Sequence, residues 1–300
     1  MQGINFNSSP ADRQLQLETA VANGERPSLA VEQGLLDLFE AGKQAILEEQ
    51  LIPVINQYPN WLTGWNMFCN VLQLQGKDNE NALTQVLRLI PEHDGYQPKI
   101  FCIGANKTGT TSLEMVFLNL GLTVGDQEPA EMLFHDWVKQ DFRRIIKYCH
   151  TAQAFQDLPF SLHGTFKVLD DAFPKSRFIL TIRNNADQWY QSLLRFHSNM
   201  IGKNRVPTID DLREFNYRYP GFVLDVLKYS YGAEKSTLYH KETYQKYYED
   251  HNSQVKKHFK GRPDDLLVLN VSEPDAMERL MKFLGYPYTG QKMLHLNSLG

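Results

Sequence analysis

The stretch "GANKTGTTS" (104–112) combines a lysine with hydroxyl side chains on a glycine-bearing turn, between the apolar run "KIFCI" and the helical pattern "LEMVFLNLGL". A strand, a glycine turn and a helix in that order bind phosphate, because backbone N–H groups and the helix dipole face the anion. In the triphosphatase loop G-x-x-x-x-G-K-[ST] the lysine follows the second glycine. Here it precedes that glycine. The predicted anion-binding residues are Lys107, Thr108, Gly109, Thr110, Thr111 and Ser112.

A second cationic position follows the apolar run "RFILTIR" (177–183), which ends in Arg183. A triphosphatase would need an acidic residue at a strand end to hold magnesium. Ser192 comes nine residues after the arginine, on the helical pattern "NADQWYQSLLRF". An arginine at a strand end and a serine on the next helix can converge on one phosphate. The sequence therefore predicts a ligand with phosphates at two separate points and no metal requirement.

Short apolar runs alternate with helical patterns after "HDGYQPKI" (93–100), where Gly95 and Pro98 interrupt a helical segment. Strands that are apolar throughout and separated by helices indicate a parallel sheet covered on both faces. The predicted fold class is therefore α/β, and ligands are expected beyond the carboxyl ends of the strands. The predicted strands are 99–104, 122–124, 154–156, 177–183 and 265–271, and the last helix is 273–285.

Residues 29–93 have a helical pattern with no convincing strand. They contain two units of helix, glycine, helix and proline, with 34 residues between the glycines and 32 between the prolines. This spacing resembles a tetratricopeptide repeat. The alternative is a helical cap packed against the main domain. The residues that would pack the repeat are Trp65, Phe68, Leu72 and Ala82, and the glycines and prolines are Gly42, Pro59, Gly76 and Pro91.

The whole chain of 300 residues is 42% hydrophobic and 22% charged, which is ordinary for a globular protein. A net charge of −4 predicts no general attraction to nucleic acid. Three cysteines stand far apart, which argues against a disulfide framework or zinc site and fits a reducing compartment. We find no signal-peptide pattern and no run of about 18 apolar residues, so a cytoplasmic protein is expected. The predicted regions are a flexible segment (1–28), the helical region (29–95) and the α/β domain (96–300).

Three motifs in the same order resemble the sulfotransferases that use 3′-phosphoadenosine 5′-phosphosulfate (PAPS). They are "KTGTTS" after a strand, "FPKSRFILTIRN" followed by Trp189 and Ser192, and the closing "DLLVLNVSEPDAMERLMKFLG". The resemblance covers residues 98–297, and a repeat-like segment also precedes this domain in bacterial members. It implies a P-loop-type fold and metal-independent, in-line sulfuryl transfer from PAPS to a hydroxyl or amine. The product nucleotide would be 3′,5′-ADP.

The resemblance also implies roles for the motif residues. Residues 107–112 would hold the 5′-phosphosulfate, with Lys107 reaching the bridging oxygen on which negative charge grows. Removing one such stabilising donor typically costs about 3–4 kcal/mol. Arg183 and Ser192 would bind the 3′-phosphate and select this nucleotide over ATP.

The general base has two candidates, because two carboxylates match different branches of the family. Asp157 in "FQDLPF" stands where the cytosolic branch has its catalytic histidine, and it is the first candidate. Its apolar neighbours would raise its pKa from the reference value of about 3.9. The carbohydrate-modifying branch uses a glutamate after the second strand, which points to Glu128 in "TVGDQEPAEM", with Asp126 nearby. Asp157 could instead be an Asx-type cap before Leu158.

Adenine binding departs from the family pattern. Cytosolic members have a tryptophan that stacks on adenine, where this chain has Ser112. The C-terminal loop that closes on the nucleotide has no clear match in "YPYTGQKMLHLNSLG". Lys292, His295 or Asn297 could substitute, so the adenine contacts stay open.

The acceptor also stays open. Residues 196–262 are rich in aromatic and charged side chains, which could form an acceptor pocket faced by His251 or could pack on the scaffold. Glycans, phenols and peptides are all candidate acceptors, with carbohydrate preferred because "KTGTTS" is similar to that branch. The helical region is a candidate surface for a protein partner. The rival functions are a metal-dependent nucleotide kinase or NTPase and a non-catalytic repeat scaffold with a decayed transferase domain.

Overall fold

The computed structural model describes residues 18–76, 79–90 and 98–293. Within them a helical region precedes a four-stranded parallel sheet flanked by helices, as the predicted α/β fold class requires. Pro91 and Gly95, which entered the repeat and helix-end predictions, lie outside the described residues, as do His295 and Asn297.

The helical region consists of helices that pack on one another in chain order. Ser28 caps the first of them, since its hydroxyl accepts a hydrogen bond from the Val31 N–H at 3.4 Å. All four residues predicted to pack the repeat are buried, but the repeat assignment itself stays a prediction. Residues 18–22 are helical, although the sequence patterns assign them to a flexible segment. The helices are α1 (Leu29–Glu40), α2 (Gln44–Gln57), α3 (Leu62–Leu74) and α4 (Asn79–Leu89).

The sheet has the strand order β2-β1-β3-β4, and every neighbouring pair is parallel. The prediction of a strand at 122–124 is wrong, because only Val124 makes a single bridge to Ala154. The chain cannot pair over more residues, because Asp126, two residues after Val124, already caps the helix Gln127–Met132. The strands are β1 (Ile100–Cys102), β2 (Ala154–Phe155), β3 (Arg177–Thr181) and β4 (Leu266–Leu269).

The helices of the α/β domain cover both faces of the sheet. The last one is shorter than predicted, because residues 273–275 form a turn, and Gly285 ends it at a φ of 79°. The helices are α5 (Thr110–Asn119), α6 (Gln127–Met132), α7 (Phe134–Val138), α8 (Arg143–Tyr148), α9 (Thr165–Ala172), α10 (Ala186–Met200), α11 (Ile209–Glu214), α12 (Phe222–Tyr231), α13 (Lys241–His258) and α14 (Ala276–Leu284), and the 3-10 turn Cys149–Thr151 follows α8.

Successive residues of β1 point to opposite faces of the sheet, and each face has its own core. Cys102 belongs to a smaller core together with Leu113 and Ile179. Phe101 belongs to the larger core, in which it stacks against Phe155 with ring centroids 5.8 Å apart. That larger core also contains the buried residues of α1 to α4. The helical region is therefore packed onto the α/β domain through a continuous apolar core.

Candidate functional site

The loop between β1 and α5 is shaped by two glycines that no other residue could replace without a clash. A Cβ atom on Gly104 would lie 2.1 Å from the Thr181 Oγ1 atom, and one on Gly109 would lie 2.4 Å from the Val271 Cγ2 atom. Gly109 has a φ of 110° and Lys107 a φ of 71°. Such a turn, leading into a helix N-terminus, aims backbone N–H groups at an anion. The structure therefore forms the kind of loop that the sequence predicts.

The loop side chains divide into two groups. Lys107, Gly109, Thr110 and Thr111 line one cavity. The Thr108 side chain is fully buried, where its hydroxyl donates to the Ala105 carbonyl at 2.5 Å and lies 2.5 Å from the Thr181 hydroxyl.

Ser112 is also buried and lies outside the residues that line the cavity. The side chains of Thr108, a predicted binding residue, and Ser112, a predicted hydroxyl donor, therefore do not line the cavity. The Ser112 N–H is also engaged, because it donates to the Gly109 carbonyl at 3.1 Å.

Arg183 and Ser192 line the same cavity as the loop. The Arg183 backbone N–H donates to the Tyr248 hydroxyl at 2.8 Å, and its Nε donates to the Lys107 carbonyl at 2.9 Å. Its two terminal nitrogens have no hydrogen-bond partner among the residues that the structure describes. The arginine is therefore held by its backbone and its Nε, with the end of its guanidinium available for an anion.

Asp157 follows β2, lines the same cavity and interacts with the Asn106 side chain of the loop. Its φ of 64° is left-handed, which costs a non-glycine residue about 1–3 kcal/mol and is concentrated at functional sites. One carboxylate oxygen accepts a hydrogen bond from the Leu158 N–H at 2.9 Å, so a local cap is present as well. Burial raises the pKa of Asp157, and the neighbouring Lys107 ammonium offsets part of that rise.

Lys107 reaches into the cavity, where its ammonium lies 3.5 Å from the centroid of the Phe196 ring. Burial lowers the pKa of Lys107, the Asp157 carboxylate counteracts this, and Arg183 lowers it further. The opposite charges of Lys107 and Asp157 therefore favour each other's charged form within one cavity.

Glu128, the second candidate base, does not line the cavity, but Glu131 on the same helix α6 does. The Glu128 carboxylate accepts from Arg218 at 2.7 Å. Glu131 is buried, is paired with Arg218 and accepts from the Gln127 amide at 2.8 Å. Burial raises the pKa of Glu131 to about 7. Glu131 was missed from the sequence. The signal that could have found it is the i,i+4 spacing of Gln127 and Glu131, which puts both on one helix face.

The opposite wall of the cavity is apolar and comes from helices α10 and α12. His197 contributes to it, with Nδ1 3.0 Å from the Tyr239 hydroxyl, and burial lowers the pKa of His197 to about 4, which keeps the ring neutral. The apolar and aromatic lining residues are Leu158, Leu193, Phe196, Met200, Tyr217, Phe222, Val223, Val226, Leu227 and Tyr231.

For His251, the sequence left a pocket position and packing on the scaffold as alternatives, and the structure has it in the core. It has no exposed surface, and its Nε2 lies 2.6 Å from the Ile103 carbonyl just before the loop. Tyr248, on the same helix α13, stacks on Trp189 with centroids 4.8 Å apart, and the Trp189 indole donates to the Asn106 carbonyl at 2.9 Å. These aromatic residues therefore pack on the scaffold and hold the loop, while Tyr217 and Tyr231 reach the cavity.

A parallel sheet with a glycine-bearing loop after β1 and an arginine after β3 is an α/β domain whose cavity lies beyond the carboxyl ends of its strands. A family model described as a sulfotransferase domain matches residues 99–298. The chain therefore belongs to the sulfotransferase family, and the resemblance seen in the motifs is confirmed. A search of curated proteins finds no match.

The described residues contain neither a metal-site arrangement nor a membrane-crossing helix. In 18–76, 79–90 and 98–293, no group of three or more His, Cys, Asp or Glu side chains is arranged to hold a metal ion. In the same part of the chain, no helix has both the length and the apolar character needed to cross a bilayer.

Lys292, a candidate for the adenine contact, is exposed.

Proposed function

We propose that this sulfotransferase moves a sulfuryl group from PAPS to a hydroxyl or amine of its acceptor, without a metal ion. The observation that carries the proposal is that Lys107, Asp157, Arg183 and Ser192 line one cavity although they come from four separate segments. A cation and a carboxylate that face each other there can serve the two ends of an in-line displacement.

The residues present fit a nucleotide with two separate phosphates. The turn at 107–112 and the N-terminus of α5 offer backbone donors for one of them. The terminal nitrogens of Arg183 and the Ser192 hydroxyl offer donors for the other. When bound, PAPS supplies the sulfuryl group and leaves as 3′,5′-ADP.

Lys107 stabilises negative charge on the leaving oxygen, where a fixed donor is worth about 3–4 kcal/mol. Because burial lowers the pKa of Lys107, its proton is also easier to share with that oxygen. Asp157 accepts the proton of the acceptor group. Its raised pKa brings it closer to the operating pH and makes it a more effective base.

The acceptor remains a proposal with two candidates. Carbohydrate is preferred from the loop sequence "KTGTTS". The apolar wall formed by α10 and α12 favours an acceptor with an apolar face, and this observation supports a phenol as the second candidate. A carbohydrate and a phenol would each place one hydroxyl next to Asp157.

Two rival functions are less well supported. A nucleotide kinase or NTPase would need an acidic magnesium ligand where Arg183 follows β3. A decayed scaffold would have no need to keep a lysine, an aspartate, an arginine and a serine from four segments on one cavity. A cytoplasmic location is supported by the three cysteines, which are free and buried.

The experiment is sulfuryl transfer from radiolabelled PAPS in EDTA, with panels of sugars and phenols as acceptors. Wild-type turnover with loss of activity in Lys107→Ala supports the proposal. No transfer to any acceptor, together with ATP-dependent and magnesium-dependent phosphorylation of the same panel, would overturn it.

A further inference from the structure

We propose that Gln73, on helix α3 of the helical region, is a positioning residue for the acceptor end of the cavity. This inference rests on the sulfuryl-transfer function proposed above. It gives the helical region a part in catalysis that is separate from any protein partner. One chain of contacts connects α3 with the cavity.

The first step is a hydrogen bond between the helical region and the α/β domain. The Gln73 amide nitrogen lies 2.9 Å and 2.8 Å from the two carboxylate oxygens of Asp126. Asp126 is also held by its backbone, because the Tyr148 hydroxyl donates to the Asp126 carbonyl at 2.7 Å. Burial raises the pKa of Asp126, and the Gln73 amide is among the groups that offset this rise. Gln73 thus helps to keep the Asp126 carboxylate ionised.

The second step is the cap of α6. The Asp126 carboxylate accepts a hydrogen bond from the Glu128 N–H at 3.1 Å and so begins the helix. This helix has only six residues, and a helix of that length depends on its cap and its tertiary contacts for stability. Any loosening of Asp126 is therefore transmitted to the first turn of α6.

The third step is the cavity. Gln127 and Glu131 of α6 both line it, and Glu131 is paired with Arg218. Arg218 stacks on Tyr217, which also lines the cavity, with 4.4 Å between the guanidinium carbon and the ring centroid. The position of α6 therefore fixes the polar end of the acceptor pocket.

A second group of contacts supports α6 and its neighbours from the helical region. Helix α4 packs against α6 and α8. Arg144 of α8 pairs with Glu80 of α4 at 2.8 Å and with Asp136 of α7 at 3.3 Å. The helical region is thus the outer support of the acceptor end.

The nucleotide end rests on other elements. Its loop is held by Thr181, Val271 and Arg183, and by the Ser161 hydroxyl, which donates to the Asn106 side chain at 2.9 Å, and none of these residues belongs to α6 or to the helical region. A change at Gln73 should therefore affect acceptor binding and leave nucleotide binding in place.

The chain offers a matched control for Gln73. Gln75, two residues later, donates its amide to the Glu48 carboxylate at 2.7 Å, and this bond stays within the helical region. Gln75→Leu removes the same kind of bond at the same end of α3 but does not reach α6.

The test compares Gln73→Leu, Gln73→Asn, Gln73→Lys and Gln75→Leu with the wild-type chain. The asparagine variant shortens the donor in case the leucine variant does not fold, and the lysine variant restores a donor to Asp126. The readouts are hydrogen–deuterium exchange of peptides covering 126–133, the 3′,5′-ADP dissociation constant, and KM and kcat with 4-methylumbelliferone as the probe acceptor.

We expect hydrogen exchange in peptides covering 126–133 to become about tenfold faster in Gln73→Leu or Gln73→Asn. The acceptor KM should rise by about the same factor, because the geometry of a reacting site is sensitive and a displacement of 1 Å can cost about a hundredfold in rate. The 3′,5′-ADP constant and the Gln75→Leu variant should stay within about twofold of wild type, and Gln73→Lys should recover most of the loss.

Equal exchange in the Gln73 and Gln75 variants would overturn the proposal, as would a change in nucleotide affinity as large as the change in acceptor KM. Failure of the proposed function has a different signature. In that case the wild-type chain itself would not bind 3′,5′-ADP, while the exchange comparison would still decide whether Gln73 holds α6.

Discussion

The two ends of the cavity are built in different ways. The proposed nucleotide end combines a contiguous loop, 104–112, with Arg183, which follows β3, and Ser192 on α10. The acceptor end combines Asp157 with α6, α12 and the segment around Tyr217, which are far apart in the chain. The nucleotide end therefore follows from local sequence, whereas the acceptor end depends on how distant segments pack.

This difference indicates how the two ends can change independently. A loop built from backbone N–H groups and glycines has little freedom, because Gly104 and Gly109 have no room for a side chain. The acceptor end is lined by side chains that can be exchanged one at a time without moving the loop. A conserved donor and a variable acceptor are the expected result of such an architecture.

The largest effect is expected at Lys107, where both ends meet. Lys107→Ala should lower kcat about 10²- to 10³-fold, because a donor to the developing charge is lost. The 3′,5′-ADP dissociation constant should change less than about tenfold, since the backbone donors remain. Steady-state kinetics and calorimetry measure the two quantities. Lys175→Ala is the matched control, because Lys175 also has a left-handed φ, 66°, but does not line the cavity.

Asp157→Asn should reduce turnover about 10²- to 10⁴-fold, because a general base contributes by that factor. The wild-type rate should rise with pH through the pKa of Asp157, which burial holds above its ordinary value, and this acid limb should vanish in the variant. The variant should be at least as stable at neutral pH. The raised pKa means that the contribution of Asp157 to stability is present at low pH and lost as pH rises through that pKa. Glu128→Gln, outside the cavity, is the control, and a larger loss there would reverse the assignment of the base.

Arg183→Lys should lower the preference for 3′,5′-ADP over 5′-AMP about 10- to 100-fold. A lysine keeps the charge but cannot hold the Lys107 carbonyl through Nε while offering two further donors to a phosphate. Competitive binding of the two nucleotides measures this ratio. Arg195→Lys, on the same helix as Ser192, serves as the control. An unchanged ratio in Arg183→Lys would remove Arg183 from the phosphate site.

The smallest effect is expected on the free energy of unfolding, which alanine substitutions at two glycines should lower by different amounts. Gly109→Ala should lower the free energy of unfolding by about 2–4 kcal/mol, because a clash with Val271 adds to the strain of a positive φ. Gly164→Ala, also at a positive φ but with nothing within 4 Å of its added Cβ, should cost about 1–2 kcal/mol. Urea denaturation measures both. Equal losses would mean that the loop has room to move away from Val271.

The elements around the loop 104–112 were predicted well for a physical reason. The strand, the glycine turn and the helix are local patterns, and four of the five predicted strands are present. The side chains of Thr108 and Ser112 were harder to place, since their direction depends on contacts with other elements. Thr108, for example, is turned inward by Thr181.

The acceptor end was predicted only in part. Asp157, the first candidate base, lies in the cavity, whereas Glu128, the second candidate, lies outside it and Glu131 lines it instead. Those two glutamates differ only by their position on a six-residue helix that propensity alone does not predict. The strand expected at 122–124 failed for a related reason, since the cap at Asp126 starts a helix too early for a strand to form.

The measurement that tests the central claim most directly is a calorimetric titration of the wild-type chain with 3′,5′-ADP in EDTA, in parallel with 5′-ADP and magnesium. The account predicts binding of 3′,5′-ADP without metal, and weaker binding in Arg183→Lys. Binding of 5′-ADP only when magnesium is present, with no response to 3′,5′-ADP, would contradict the two-phosphate site. It would favour a metal-dependent nucleotide kinase or NTPase instead.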